Sequence, residues 1–185
     1  MKKRSVLKKA LLMGLLVMWG VCPRAAWSKE PYKIGGVFSI TGPSSFLGDP
    51  EEKSLKLAVE EINAQGGIDG HPVEAVIYDT EGDPGKTVLA VNKLISKDNV
   101  LAVIGPSLTA TTLAVVPIAE KEKVPLISCA AGIKITDPVR RWVFKTAQND
   151  VLAVAAIYDH MKKKGIRKIV IITVENAFGE SGKEQ

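Results

Sequence analysis

Short apolar runs alternate with amphipathic stretches along most of this chain, and that alternation constrains the fold more than any other feature. Five apolar runs of strand length follow one another between Lys33 and Thr146. In the stretch after the first run, Leu55, Ala58 and Ile62 recur at helical spacing. Strands that alternate with helices are typical of βα units that build a parallel sheet. We therefore expect an α/β fold with helices on both faces of a parallel sheet.

Glycine, proline and short polar residues separate the predicted elements. The expected strands are KIGGVFSI, HPVEAVIYD, VLAVIG, VPLIS and the shorter WVFKT. Asp49 is predicted to cap the first helix, with Pro50 at its first position and Glu52 completing a capping box. Asp83 and Pro84 predict the start of the second helix in the same way.

The same alternation resumes after the segment AQND. Asp150 is predicted to cap a helix that ends at Gly165. The run KIVIITV, residues 168–174, is apolar throughout, which predicts a strand buried on both faces. Such a strand needs layers on both sides, and little sequence follows it before Gln185. We therefore interpret the sequence as a fragment or a truncated gene product, with another helix beginning in FGESGKEQ.

The first 28 residues have the order of a secretory signal peptide. A cationic start precedes an apolar run from Ala10 to Cys22, and small residues follow. The run is too short for a comfortable membrane span. Cleavage after Ser28 is expected to release a soluble, periplasmic product. Cys22 offers the alternative of a lipid anchor, which the bulky Val21 in front of it disfavours.

Charge and motif content exclude several classes of partner. Six of the 25 lysines and arginines lie in the leader, and the rest nearly balance the 20 acidic residues, so no nucleic-acid partner is expected. IGGVFSITG lacks the glycine spacing of a dinucleotide site, and no metal-ligand cluster is evident. We therefore predict no metal and no cofactor.

Cys129 is the residue that raises the possibility of catalysis. It follows a predicted strand among small neighbours, and it is the only cysteine outside the leader, so no internal disulfide is expected. A reactive cysteine needs a base or a cation beside it. His71 lies in a predicted turn and His160 in a distant helix. We interpret Cys129 as a small buried hydrophobic residue and the chain as non-enzymatic.

The segment VIGPSLTATT, residues 103–112, is predicted to pass from a buried strand into a helix. Its hydroxyl side chains, Ser107 and Thr109 among them, therefore fall at the carboxyl edge of the sheet, where open α/β folds bind ligands. The free N–H groups of a helix start favour an anion there. The alternative is that one hydroxyl caps the helix and the others are solvated. The residues alone leave both interpretations open.

Several segments, in order, resemble one protein family. KIGGVFSITGPSSFLGD, AVEEINAQGGIDGHPVEAVIYDTEGDP, VIGP and VPLIS are similar to the amino-terminal part of periplasmic solute-binding proteins of the leucine/isoleucine/valine-binding type, which serve ABC importers. The resemblance runs from about Lys33 to about Gly182. It implies the type I periplasmic binding protein fold, with two α/β lobes that close on a ligand. On this interpretation residues 1–28 are the signal peptide, 29–149 form lobe 1 and 150–185 begin an incomplete lobe 2.

The resemblance also implies which residues contact the ligand. In the family, the loops after the third and fourth strands hold its polar end, which points to Thr109, with Ser107 as the nearby alternative. Gly132 is a departure, because amino-acid binders usually carry a hydroxyl residue there, and Leu47 stands where an aromatic wall is common. The full set of expected ligand-binding residues is Leu47, Ser107, Thr109, Ala130, Ala131, Gly132 and Phe178, the last contributed by lobe 2.

The implied function is that of an exported receptor for an ABC importer. It would bind a branched-chain amino acid, or a related small organic acid or amide, and present it to membrane permease subunits. The departures at Gly132 and Leu47 leave room for an aromatic or aliphatic acid or an amide. The alternative is a ligand-sensing module of a membrane receptor or regulator, because the same fold serves both. The leader, and the absence of another long apolar segment, favour the free receptor.

Overall fold

Five parallel strands form one sheet in the computed structural model, which describes residues 29–185. The strands are β1 (Tyr32–Phe38), β2 (Val73–Asp79), β3 (Ala102–Ile104), β4 (Leu126–Ser128) and β5 (Val143–Lys145). The helices are α1 (Ser45–Ala64), α2 (Pro84–Lys93), α3 (Thr109–Glu122), α4 (Asp150–Lys163) and α5 (Ala177–Glu184). A π-helical turn, Leu94–Asp98, extends α2, and a 3₁₀ turn, Ile133–Ile135, follows β4. The predicted signal peptide and its cleavage site after Ser28 lie outside the described residues.

The sheet order is β2-β1-β3-β4-β5, and every pairing is parallel. The longest pairing joins β1 to β2 and runs from Tyr32 opposite Val73 to Phe38 opposite Asp79. Because parallel strands end at the same edge, the loops after β1, β2, β3 and β4 meet there. The predicted parallel α/β arrangement is confirmed.

The core lies between the sheet and its helices. It contains buried aliphatic residues from β1, the π-helical turn, β3, α3 and β4, namely Val37, Leu94, Val103, Val115 and Leu126. Gly105 follows β3 with a φ of +96°, and a Cβ there would lie 2.2 Å from the carbonyl oxygen of Val37. Only glycine allows the chain to leave the sheet so close to β1. The next peptide bond, to Pro106, is cis.

Helix α1 corrects the predicted capping residue. It begins at Ser45, before Asp49, and Pro50 lies inside it. Asp49 and Glu52 do not form a capping box; each instead pairs with a lysine one turn later, at 2.6 and 2.5 Å respectively. A proline near a helix start removes a single intrahelical hydrogen bond, so the preceding turn can still form.

The start of α2 is as predicted, whereas that of α4 is not. Asp83 caps α2 by accepting a hydrogen bond from the backbone N–H of Lys86 at 2.7 Å, and Pro84 is the first helical residue. In α4 the capping position belongs to Asn149, and Asp150 is the first helical residue. Asp150 is nearly buried and its carboxylate accepts a hydrogen bond from the Ser181 hydroxyl, so it is engaged by α5 instead.

The predicted strand at 168–174 is the largest difference from the sequence interpretation. The structure assigns no strand there, and Ile172 is 92% exposed. Strand N–H and C=O groups need a neighbouring strand, and no residue in 29–185 supplies one. The expected helix in FGESGKEQ does form, as α5, and Asn176 caps it by accepting hydrogen bonds from two backbone N–H groups at 3.0 Å. No helix within the described residues is long and apolar enough to cross a membrane.

Candidate functional site

A cavity of about 650 Å³ opens at the carboxyl edge of the sheet. Its walls come from the start of α1, the loops after β2, β3 and β4, and the segment that leads into α5. Six of the seven predicted ligand-binding residues line it: Leu47, Ser107, Thr109, Ala130, Ala131 and Phe178. Gly132 is not part of the wall but contacts it, because its N–H donates to Thr109 Oγ1. Their contact with a ligand stays a prediction.

The amino end of α3 forms part of the cavity wall. Leu108, at the capping position, has an extended backbone and provides no side-chain cap. The first hydrogen bond across this start joins the N–H of Thr112 to the carbonyl of Leu108 at 2.9 Å. The N–H groups of residues 109–111 therefore precede the helical ladder, and Thr109 and Ala110 lie on the cavity. The helix dipole and these donors favour an anion at this point.

Thr109 and Gly132 are fitted closely to one another. Thr109 is 3% exposed, and its Oγ1 accepts a hydrogen bond from the N–H of Gly132 at 3.3 Å. A Cβ at position 132 would lie 2.4 Å from the Cγ2 of Thr109, which is well inside contact distance. A hydroxyl residue at 132 would therefore displace Thr109. Glycine at position 132 and threonine at position 109 are therefore compatible, whereas any larger residue at 132 requires a shift.

The other hydroxyls of the TATT segment support the loops around the cavity. Thr111 Oγ1 donates to the carbonyl of Leu108 at 2.9 Å, and Thr112 Oγ1 lies 2.8 Å from Ser128 Oγ. Ser128 Oγ also accepts the N–H of Ala130 at 3.1 Å. Thr111 and Thr112 are buried, as is Ser128, so the alternative in which the remaining hydroxyls of this segment are solvated does not hold. Thr112 and Ser128 fix the β4 loop against the start of α3, whereas Thr111 bonds within the start of α3 itself.

Glu51 is a cavity residue that the sequence interpretation missed. The Ser107 hydroxyl donates to its carboxylate, and Ser107 Oγ in turn accepts the N–H of Ser39 at 3.1 Å. Burial raises the pKa of Glu51, and hydrogen bonds from Ser107 and Cys129 offset part of that effect. Glu51 is one turn before the core residue Leu55, and this phase was a usable signal.

Cys129 also lines the cavity, but its surroundings oppose thiolate formation. Burial and the nearby negative charge of Glu51 raise the pKa of Cys129 to about 12. His71 stacks on Tyr32, with ring centroids 4.4 Å apart, in the turn before β2 and at the opposite edge of the sheet. The geometry therefore places a carboxylate, rather than a basic imidazole, beside the thiol.

Aromatic and apolar side chains form the rest of the wall. Phe46 is 74% exposed and Phe178 is more than half exposed, and both line the cavity from different parts of the chain. The sequence interpretation named Leu47 as lacking the usual aromatic ring but overlooked the adjacent Phe46. The segment around Phe178 is tied to the β4 loop, because the N–H of Ile133 donates to Ser181 Oγ at 3.2 Å.

Comparison with known families agrees with this architecture. The family model described as "Periplasmic binding protein" matches residues 31–185, almost the whole described chain. The chain belongs to the periplasmic binding protein family. The resemblance drawn from its sequence motifs is thereby confirmed.

Relatives of this binding protein include both curated proteins and solved structures. The Leu/Ile/Val-binding protein of Escherichia coli K12 is 31% identical over 179 residues, which cover 93% of this chain and 46% of that protein. A branched-chain amino acid transporter substrate-binding protein from Streptococcus pneumoniae, solved with isoleucine, is 36% identical with a TM-score of 0.62, covering 65% of this chain and 34% of that one. A solute-binding protein of an ABC transporter from Rhodopseudomonas palustris BisB5, solved with 3,4-dihydroxybenzoic acid, is 25% identical with a TM-score of 0.76, covering 83% and 42%.

These structures confirm the type I fold class of the binding protein. The chain spans less than half the length of the curated relatives it matches. The relatives are named as binding proteins rather than enzymes.

Proposed function

We propose that this chain is the ligand-binding part of an exported, non-enzymatic receptor that serves an ABC importer from the periplasm. The observation that carries the proposal is the start of α3, where free backbone donors and the Thr109 side chain lie in the wall of a cavity of small-molecule size. Family membership supports a binding role over catalysis.

The cavity suits a small carboxylate with an apolar body. The carboxylate would accept hydrogen bonds from the N–H and hydroxyl of Thr109, with Ser107 as the nearby alternative. Backbone groups of Ala130 and Ala131 would contact the same end. Leu47, Phe46 and Phe178 would then cover the apolar body.

The ligand class is a branched-chain amino acid or a related small organic acid or amide. The relatives solved with isoleucine and with 3,4-dihydroxybenzoic acid span this range. Gly132 supplies no hydroxyl, whereas Phe46 and Phe178 supply aromatic surface, and both features favour extending the search to aromatic carboxylates.

Binding would act through closure of two lobes. We assign residues 29–149 to lobe 1 and 150–185 to the start of lobe 2, so the cavity has contributions from each. A ligand that touches both lobes favours the closed form, which permease subunits would recognise. A sensory module with the same fold is the alternative, and a membrane span elsewhere in the full-length protein would favour it.

Thermal shift of the full-length protein tests this proposal. Branched-chain amino acids, benzoates including 3,4-dihydroxybenzoate, and short amides are screened for a rise in Tm, which reports binding to the native state. Thr109→Ala is expected to weaken the best ligand by about ten-fold or more, because it removes a hydrogen bond to a charged group.

The matched control is Thr111→Ala, on the same helix turn, whose hydroxyl bonds the carbonyl of Leu108 and does not line the cavity. This variant is expected to keep the ligand affinity. Unchanged affinity in Thr109→Ala would remove Thr109 from the site.

A further inference from the structure

Glu51 differs from the two acidic residues beside it on α1. Asp49 and Glu52 pair with Lys53 and Lys56 respectively, one helical turn away on the same helix. Glu51 instead faces the cavity, where the Ser107 hydroxyl donates to one of its oxygens. None of the ion pairs formed within residues 29–185 includes Glu51. Its position therefore places an acidic group, without a cation, in the wall of the ligand cavity.

The surroundings of Glu51 leave its charge incompletely compensated. Its protein donors are a hydroxyl, from Ser107, and a thiol, from Cys129, which is a weak donor. Apolar residues line the cavity nearby, Leu47 and Phe46 among them. A carboxylate that loses water in such a place is costly unless further donors reach it. A ligand that fills the cavity displaces that water, so the ligand itself has to supply the missing donor.

Glu51 and the anion-binding end of α3 line the same cavity and are linked through Ser107. Ser107, whose hydroxyl donates to Glu51, is only two residues before Thr109. The Cα atoms of Ser107 and Thr109 are therefore at most about 7 Å apart. A ligand whose carboxylate binds at the start of α3 can therefore direct a hydrogen-bond donor on one of its nearby carbons toward Glu51. The N–H donors at the start of α3 and the Glu51 acceptor close by together suit a ligand that carries both a carboxylate and a hydrogen-bond donor.

We propose that Glu51 is a specificity-determining residue of this cavity, and that it accepts a hydrogen bond from a hydroxyl or ammonium group of the bound carboxylate ligand. The inference rests on the proposed function, because it assumes that a small carboxylate is bound at α3. Carboxylates without such a donor are rejected because they leave Glu51 dehydrated and without a partner.

Calorimetric titration of the full-length protein with matched ligands tests this role. The aliphatic series is L-leucine, 2-hydroxy-4-methylpentanoate and 4-methylpentanoate, which carry an ammonium, a hydroxyl and no donor on the same skeleton. The aromatic pair is 3-hydroxybenzoate and benzoate. Within a series that binds, the donor-bearing compound is expected to bind about ten- to a hundred-fold more tightly. Comparison of leucine with its hydroxy analogue distinguishes the ammonium from the hydroxyl.

The variant Glu51→Gln keeps the shape of the side chain and removes its charge. It is expected to lose about ten-fold or more in affinity for the donor-bearing compound. The compound without a donor is expected to bind at least as tightly as to the wild type, because no charge is left to dehydrate. Asp49→Asn is the matched control, since it makes the same change on the same helix at a residue paired with Lys53 outside the cavity wall. Asp49→Asn is expected to keep the wild-type preference, and melting temperatures check that both variants fold.

The outcomes separate this inference from the function on which it rests. Equal binding of compounds with and without a donor by the wild type, or an unchanged preference in Glu51→Gln, would overturn the role of Glu51 while leaving a carboxylate receptor in place. Failure of the wild type to bind any of these probes or any compound of the thermal-shift screen would overturn the proposed function, and the role of Glu51 with it. The wild-type preference is informative even if a variant does not fold.

Discussion

Similar apolar runs have different structures in residues 29–149 and in residues 150–185. In the first region the apolar run VLAVIG contributes β3, and Val103 is almost completely buried between β1 and β4. In the second region the equally apolar run KIVIITV forms no strand, and Ile172 is exposed. Composition is similar, but only the first run has neighbours on both sides. Sheet formation therefore depends on pairing partners as much as on β propensity.

The largest expected effect is on the stability of the chain 29–185, where one core substitution in the first region is compared with one in the run 168–174. Leu126→Ala removes a side chain that is 1% exposed from the centre of the core and is expected to lower the free energy of unfolding by about 2–5 kcal/mol. Ile172→Ala is expected to change it by less than about 0.5 kcal/mol, because that side chain contacts mainly solvent. Urea denaturation of the two variants checks both values.

A large loss in Ile172→Ala would show that residues 168–174 pack on the rest of the chain in solution. A small loss in Leu126→Ala would show that the sheet is not the main source of stability. Either result would break the contrast between the two regions.

The sequence was sufficient to predict the strands of the first region and that they form a parallel sheet. Each strand there lies between a turn signal and a helix pattern, and the cap at Asp83 was correct for the same reason. The start of α1 was missed because Pro50 was taken as the first helical residue. The state of residues 168–174 was missed because periodicity describes a strand's faces but not whether a neighbour is present.

The residues of the candidate site also differ in how far the sequence predicts them. The strand-to-helix junction predicted that Ser107 and Thr109 lie at the edge of the parallel sheet, and the family resemblance singled them out as ligand contacts. Glu51 was missed because the apolar face recognised in the sequence begins at Leu55, one turn after Glu51. The contact between Gly132 and Thr109 depends on how two loops meet, and no local pattern in the sequence encodes it.

The second prediction tests how rigid the first region is at the cavity. Gly132→Ala places a Cβ 2.4 Å from the Cγ2 of Thr109 and is expected to cost about 1–3 kcal/mol of stability. Thr109→Ser removes that methyl group and keeps the hydroxyl, so the double variant is expected to recover part of the loss. A double-mutant cycle from urea denaturation measures the coupling. Independent effects of the two changes would mean that the β4 loop moves aside at little cost.

The smallest expected effect concerns the contacts that join the two regions. Lys134 and Glu184 form an ion pair at 2.6 Å with both side chains about half exposed. Ser181 instead accepts the backbone N–H of Ile133 at 3.2 Å and donates its hydroxyl to the nearly buried Asp150 of its own region. Lys134→Ala is expected to reduce the protection of α5 from hydrogen exchange by less than about 1 kcal/mol, and 1 M salt should remove the difference. Ser181→Ala is expected to reduce it more, because it leaves the N–H of Ile133 without its acceptor and the buried Asp150 carboxylate without its hydroxyl donor, and salt should change this little. If the two variants responded to salt alike, the docking of α5 would be a surface electrostatic contact, and the second region would be held to the first less firmly than its buried hydrogen bonds imply.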